Sequence, residues 1–394
     1  MPRIPLRWIA IGIFALSSTL NYLDRQLLAS VAPALKGEFH LSNSEYGQVV
    51  SVFSLVYAFT APLAGLFIDR IGLNAGASIA VLVWSIAGAA TGLTHSFRGL
   101  LATRTMLGIA EAAGIPCFGK ASGMYLEPRE LALGTAVNQV GISLGLFAAP
   151  LIVAAISVSY GWRMAFVVCG VLGFVWLPVW WLTSTRIPGR PAAKTAPAAP
   201  VRDLLRDRRL WGLVFATVFI MCLYTLWTNW TTLYFVEQWH LTQADANRRF
   251  AWIPPVFSIL GGFFGGWLAF RWIRGGLGVL AARMRVCWMS AAVALLTASI
   301  PFMPTMPLAA AAISVSFFWA VAITTNLYAL PIDLFGPARA AFGVSALTFA
   351  YGLMQAFASP VIGWTVDHFG FSAVCVSVSA LPLVGVWILR VTTR

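Results

Sequence analysis

Charge is scarce in this sequence. Only 10% of its 394 residues are Asp, Glu, Lys or Arg, against roughly 25% in a soluble globular domain. With 59% of the chain hydrophobic, a water-soluble fold is excluded, because no soluble surface could be built from what remains. Histidine occurs four times, at His40, His95, His240 and His368. They sit in separate loops, so no metal site is expected and no His/Asp cluster of the kind a membrane-embedded enzyme needs. The five cysteines, Cys117, Cys169, Cys222, Cys287 and Cys375, stand singly inside apolar segments. None has a neighbour at metal or redox spacing, so all five read as small buried apolar residues. The chain carries a net charge of +13, yet it lacks a basic stripe interleaved with aromatics, which argues against a nucleic-acid partner.

What fills the chain is apolar stretches near or above the ~20 residues needed to cross a bilayer. The expected spans are 8–35, 43–68, 73–95, 98–125, 130–158, 163–184, 209–237, 243–270, 281–301, 306–332, 339–366 and 370–390. Arg3 and Arg7 ahead of the first run resemble a signal peptide, but the run continues through Asn21, Tyr22, Leu23, Asp24 and Arg25 without a cleavage site. It reads as an uncleaved first span. Arg186 to Arg208 contains Pro188, Pro191, Pro197 and Pro200 among alanines and basic residues. That composition suits a linker, which divides the chain into 1–185 and 209–394. Most of the 26 lysines and arginines fall on the side of the termini, whereas Lys36, Arg98, Arg163, Arg248 and Arg249 fall on the other. Cytoplasmic loops retain Lys and Arg, so both termini are expected in the cytoplasm, with the basic excess also drawn to anionic lipid.

An internal echo points to repeats. Pro62, Gly65, Asp69 and Gly72 end the second span at the same spacing as Pro360, Gly363, Asp367 and Gly370 end the eleventh. These segments end on opposite membrane faces, as nested inverted three-helix repeats require. Ala149-Pro150 in the fifth span is a weaker match.

Charges inside spans cost about 2.5–3.5 kcal/mol each on insertion scales, so they mark function first. Four lie well inside: Asp24, Arg25, Arg104 and Glu111. Arg104, Gly108 and Glu111 share one helix face, with the two charges ~10 Å apart along the axis. Asp24 and Arg25 diverge by ~100° around the first span. Pairing of Asp24 with Arg104 would leave Arg25 available. Static ion pairing of the four is the structural alternative. Two acids and two bases sum to zero, so an entering anion would be balanced by a proton taken up on Glu111 or Asp24. Asn138 and Gln139 in the fifth span need partners inside the bundle, and Gln139 is the preferred pocket residue.

Asn21-Tyr22-Leu23-Asp24-Arg25, Gly65-x-x-x-Asp69-Arg70-x-Gly72 and Arg104-x-x-x-Gly108-x-x-Glu111-Ala112 together resemble the anion:cation symporter family of the major facilitator superfamily. The resemblance covers residues 8 to about 180 well and the second half more loosely. It implies an all-α membrane protein of 12 spans in two six-helix halves, working by alternating access as a proton-coupled symporter of an organic anion such as a sugar acid. It further implies a functional monomer in a bacterial inner membrane, without a cofactor. Asp24 and Glu111 would be the proton-linked carboxylates, Arg25 would hold the substrate carboxylate, and Arg104 would pair with Asp24 or substrate. Tyr22 and Tyr57 match pocket tyrosines. Trp227, Asn229 and Trp230, with Thr325, Tyr328 and Thr348, fall near polar pocket positions that would bind substrate hydroxyls, although threonines often satisfy their own helix backbone. Asp69 and Arg70 match gate residues, while Lys120 is expected to snorkel to the inner interface.

Two departures stand out. The family's Gln-x-Pro-Gly-Gly is here Ala61-Pro62-Leu63-Ala64-Gly65, which puts sugar-acid specificity in doubt, and the basic pair after Gly72 is Leu73-Asn74. A proton-linked exporter of amphipathic compounds is the alternative, but its usual Gly-Pro in the fifth span is Ala149-Pro150 here. Sodium coupling stays open, although no carbonyl-and-carboxylate sodium cage can be read.

Overall fold

A computed structural model describes residues 6–127, 130–187 and 201–393. Lipid offers backbone groups no hydrogen-bond partner, so spanning segments close their own bonds as helices, and no strand occurs among the described residues. In order these are α1 (Leu6–Phe39), α2 (Asn43–Ile71), α3 (Leu73–Thr91), α4 (Phe97–Glu111), α5 (Gly114–Tyr125), α6 (Leu131–Tyr160), α7 (Trp162–Arg186), α8 (Val201–Leu205), α9 (Arg208–Trp239), α10 (Gln243–Phe250), α11 (Ile253–Arg274), α12 (Val279–Ala294), α13 (Met306–Phe335) and α14 (Pro337–Thr392). A 3₁₀ segment, Leu295–Phe302, extends α12.

Ten helical runs are long and apolar enough to cross a membrane. Two details account for the difference from twelve. The fourth span, expected to run unbroken, is interrupted between α4 and α5 at Ala112 and Ala113. Pro116 has no N–H to give the Ala112 carbonyl, so the helix cannot continue regularly there. The 56-residue α14 contains Gly370 at φ 72°, outside helical geometry, and therefore holds two spans. The all-helical, twelve-span architecture follows.

Contacts gather the described residues into two units. The first holds 6–41, 52–187 and 242–251, and the second holds 42–51, 201–241 and 252–393. Of the expected linker, 188–200 lie outside the described residues. Beyond them comes α8, and then the Asp207 carboxylate caps α9 by accepting the Arg209 N–H at 2.8 Å. In the first unit Phe14 packs edge-on against Trp176 and Trp180, whose rings stack on each other. In the second, Leu213, Ile220, Ile323, Leu327, Leu347 and Val386 form an apolar core.

The echoed aspartates both work at helix ends. Within the second unit, Asp367 accepts the N–H groups of Asn43 and Ser44, each at 2.8 Å, at the start of α2. There Ser42 and Glu45 also form a capping box: the Glu45 N–H reaches Ser42 Oγ at 3.1 Å and the Ser42 N–H reaches the Glu45 carboxylate at 2.9 Å. Within the first unit, Asp69 pairs with Lys120 at 3.0 Å, and Lys120 also donates to the Ile68 carbonyl at 2.9 Å. Lys120 is thus engaged by Asp69 at the end of α2, and Arg70 is exposed.

Gly370 gives a direct test of the division in α14. Ala there must hold a left-handed backbone, which costs about 1–2 kcal/mol. At Gly266 an added Cβ meets nothing within 4 Å, and Ala should gain about 0.5–1 kcal/mol of helix propensity. Thermal unfolding in detergent should separate Gly370→Ala from Gly266→Ala in these opposite directions.

Candidate functional site

The intramembrane charges all belong to the first unit. Asp24, Arg104 and Glu111 are buried, Glu111 at 0% exposure. Such groups persist inside a span only with partners. Arg25 Nε donates to Glu111 Oε2 at 2.7 Å. The same guanidinium lies 4.4 Å from the Tyr57 ring centroid, 4.9 Å from Tyr22 and 5.1 Å from Phe53. Three aromatic faces thus wall a cation whose fourth neighbour is a carboxylate. The buried Oε1 of Glu111 accepts no hydrogen bond from the described residues.

Local sequence builds this arrangement. Tyr22 and Arg25, three apart, share a face of α1, and Phe53 and Tyr57, four apart, stack on α2 with centroids 5.9 Å apart. Gly108 lets α4 approach α2: a Cβ there would stand 2.9 Å from the Phe53 carbonyl oxygen. The close approach at Gly108 is therefore made by a helix. One turn on, Glu111 is carried to Arg25.

One part of the expected pairing needs correction: Arg25 is held by Glu111 rather than left available. The ~100° between consecutive residues turns Asp24 toward α3, where a Cβ on Gly88 would be 3.6 Å from its carboxylate. Asp24 Oδ1 accepts no hydrogen bond. Arg104 lies 5.2 Å from the Phe166 ring centroid.

The remaining candidates divide. Gln139 is exposed on α6, while Asn138 accepts the Ser18 hydroxyl at 2.6 Å. In the second unit, Trp227 is fully buried, donates to Ser316 Oγ at 3.2 Å and packs edge-on against Tyr234. It is a core residue, contrary to expectation. Thr325 and Thr348 donate to the Val321 and Val344 carbonyls, each at 3.0 Å, so both hydroxyl protons are spent on their own helix. The Asn229 carbonyl accepts the Tyr46 hydroxyl at 3.3 Å, and its buried Nδ2 has no partner. Trp230 is buried edge-on to Tyr46, and Tyr328 packs against the apolar core around Leu327. No group of three or more His, Cys, Asp or Glu could hold a metal among the described residues. Phe53 escaped the sequence reading, although its spacing four residues ahead of Tyr57 marks the same helix face.

The family model described as Major Facilitator Superfamily matches residues 14–359. The chain belongs to the major facilitator superfamily. Its relatives carry solutes rather than catalyse reactions, and this facilitator is an integral membrane transporter, not an enzyme. A hexuronate transporter of Escherichia coli K12 is 27% identical over 405 residues, covering 98% of this chain and 93% of its own. A galacturonate transporter of Dickeya chrysanthemi is 30% identical over 282 residues, covering 67% of this chain and 81% of its own. These similarities agree with the anion:cation symporter resemblance. An inward-facing, occupied crystal structure of a bacterial homologue of the human lysosomal transporter Spinster superposes with a TM-score of 0.80 at 18% identity, over 99% of this chain and 96% of that one. At that identity it speaks for the fold alone.

The ion pair should be energetically coupled. Arg25→Gln leaves Glu111 buried without its cation, a loss of about 3–5 kcal/mol. Adding Glu111→Gln removes the stranded charge, so the double variant should unfold at a higher temperature than the sum of the single losses implies, with a coupling of about 0.5–3 kcal/mol. Additive losses in thermal unfolding would contradict the pairing.

Proposed function

We propose that this facilitator carries a sugar acid or related organic anion together with a proton, opening alternately to the two sides of a bacterial inner membrane, with both termini cytoplasmic. The carrying observation is the buried Arg25–Glu111 pair in its aromatic enclosure. A guanidinium offers two parallel N–H groups to a carboxylate, and Glu111 engages the Nε of that fork at 2.7 Å. An incoming carboxylate competes for the same cation. A displaced Glu111 sits where water does not reach, and a buried carboxylate without a cation is neutralised by a proton rather than left charged. Empty and loaded sites then carry the same net charge, which couples one anion to about one proton.

Asp24, beside Gly88, is the second proton-linked carboxylate in this reading, and Arg104 balances its charge from α4. Tyr22 and Tyr57 orient the Arg25 fork, and Asp69, Arg70 and Lys120 form a gate at the end of α2. Support for a hydroxylated carboxylate comes from the relatives named for hexuronates and galacturonate. Export of amphipathic compounds draws no support from a site centred on a carboxylate-binding fork.

Two variants test the exchange in proteoliposomes. Arg25→Ala should abolish carboxylate binding, a loss of about 2–5 kcal/mol, with Lys restoring only part of it. Glu111→Gln mimics the protonated form, so it should still exchange labelled for unlabelled galacturonate yet fail to accumulate it under an imposed pH gradient. Concentrative, pH-driven uptake by Glu111→Gln at the unmodified level would overturn the assignment of the proton to Glu111.

A further inference from the structure

One turn before Arg25 on α1, the first unit has a partly open cavity of about 50 Å³, room for about three water-sized groups. Its walls come from α1, α3, α5 and α6, and include Ser18, Asn21, Trp84, Gly114, Phe118 and Asn138. Two of these wall residues leave hydrogen-bond donors unused. Asn21 is 4% exposed and Trp84 2% exposed, and neither Asn21 Nδ2 nor Trp84 Nε1 has a hydrogen-bond partner among the described residues. Buried donors in native proteins are overwhelmingly satisfied, and each orphan costs about 1–3 kcal/mol. Two orphans in the wall of one cavity ask for an oxygen acceptor. Ser18 Oγ, which donates its proton to Asn138 Oδ1, keeps acceptor lone pairs but is within hydrogen-bond reach of neither donor.

The cavity's place relative to the ion pair narrows the occupant. Asn21 precedes Arg25 by four residues, about 6 Å along one face of α1. On the facing wall, Gly114 follows Glu111 by three. A molecule whose carboxylate meets Arg25 would therefore reach the cavity with atoms some 6 Å away, the length of a short carbon chain. Aromatic rings (Tyr22, Trp84, Phe118) combined with amide donors suit a chain that bears hydroxyls on a C–H backbone. We infer that Asn21 and Trp84 form a donor subsite for the hydroxyl-bearing end of the carried anion, and so select hydroxylated carboxylates over plain ones.

This inference rests on the carboxylate-binding reading of Arg25. Gly114 offers a gentle probe, since a Cβ there would meet only the Asn21 side chain, at 3.5 Å from Nδ2, an ordinary contact. Gly114→Ala places a methyl beside the free amide, and Trp84→Phe removes the indole N–H while keeping a ring. Calorimetry on the purified protein should give tighter binding of D-galacturonate than of hexanoate. Each variant should lower that preference by about three- to tenfold, the worth of one lost hydrogen bond, with unfolding temperatures reporting an intact fold. Arg25→Ala should abolish binding of both acids. Equal affinity of the unmodified protein for the two acids, or a preference untouched by both variants as expected if the cavity holds only water, would overturn the subsite while leaving the Arg25 reading in place. Failure of the unmodified protein to bind either acid would overturn both.

Discussion

A guanidinium and a carboxylate 2.7 Å apart in the interior of a spanning bundle set the terms for everything around them. Removing each ion from water costs several kcal/mol even after relaxation, and neither tolerates loss of the other. The helices must therefore come close at one particular level. Gly108 permits this by giving up a side chain against the Phe53 carbonyl, and the stacked Phe53 and Tyr57 rings close the space around Arg25. Just past Glu111 the helix is interrupted at Ala112 and Ala113, and the glycine that opens α5 borders the neighbouring cavity.

The same constraint makes the site electrostatically economical. All four intramembrane charges lie in the first unit, whereas three of the second unit's polar candidates are committed to partners within that unit. Thr325 and Thr348 bond their own backbone, and Trp227 bonds Ser316. In the proposed function, charge recognition and proton exchange converge on Arg25 and Glu111, and shape and hydroxyl recognition fall to uncharged groups. Asn21 and Trp84 have the donors to contribute there.

Much of this was legible in the sequence because lipid makes every violation visible. A charged residue in an apolar span stands out at once, so Asp24, Arg25, Arg104 and Glu111 were found without a structure, and so were the twelve spans. The partner of each charge was not legible. A 100° rotation per residue and the reach of a long side chain decide whether Arg25 or Arg104 meets an acid, and neither is encoded in spacing alone. Hydroxyl direction is equally silent, which is why Thr325 and Thr348 resembled ligands. Pro116 did carry the signal for the interruption between α4 and α5, but the unbroken apolar run around it concealed the consequence. The echo of Asp69 and Asp367 marked two helix-end aspartates, yet only the fold assigns them different partners.

The central claim is that an anion displaces Glu111 from Arg25 and that Glu111 then takes a proton. Proton uptake on binding tests it most directly. Purified protein in weakly buffered solution near neutral pH, with a pH indicator present, should take up about one proton per galacturonate bound, and the uptake should vanish in Glu111→Gln while binding persists. Stoichiometric galacturonate binding without any proton uptake by the unmodified protein would contradict the account.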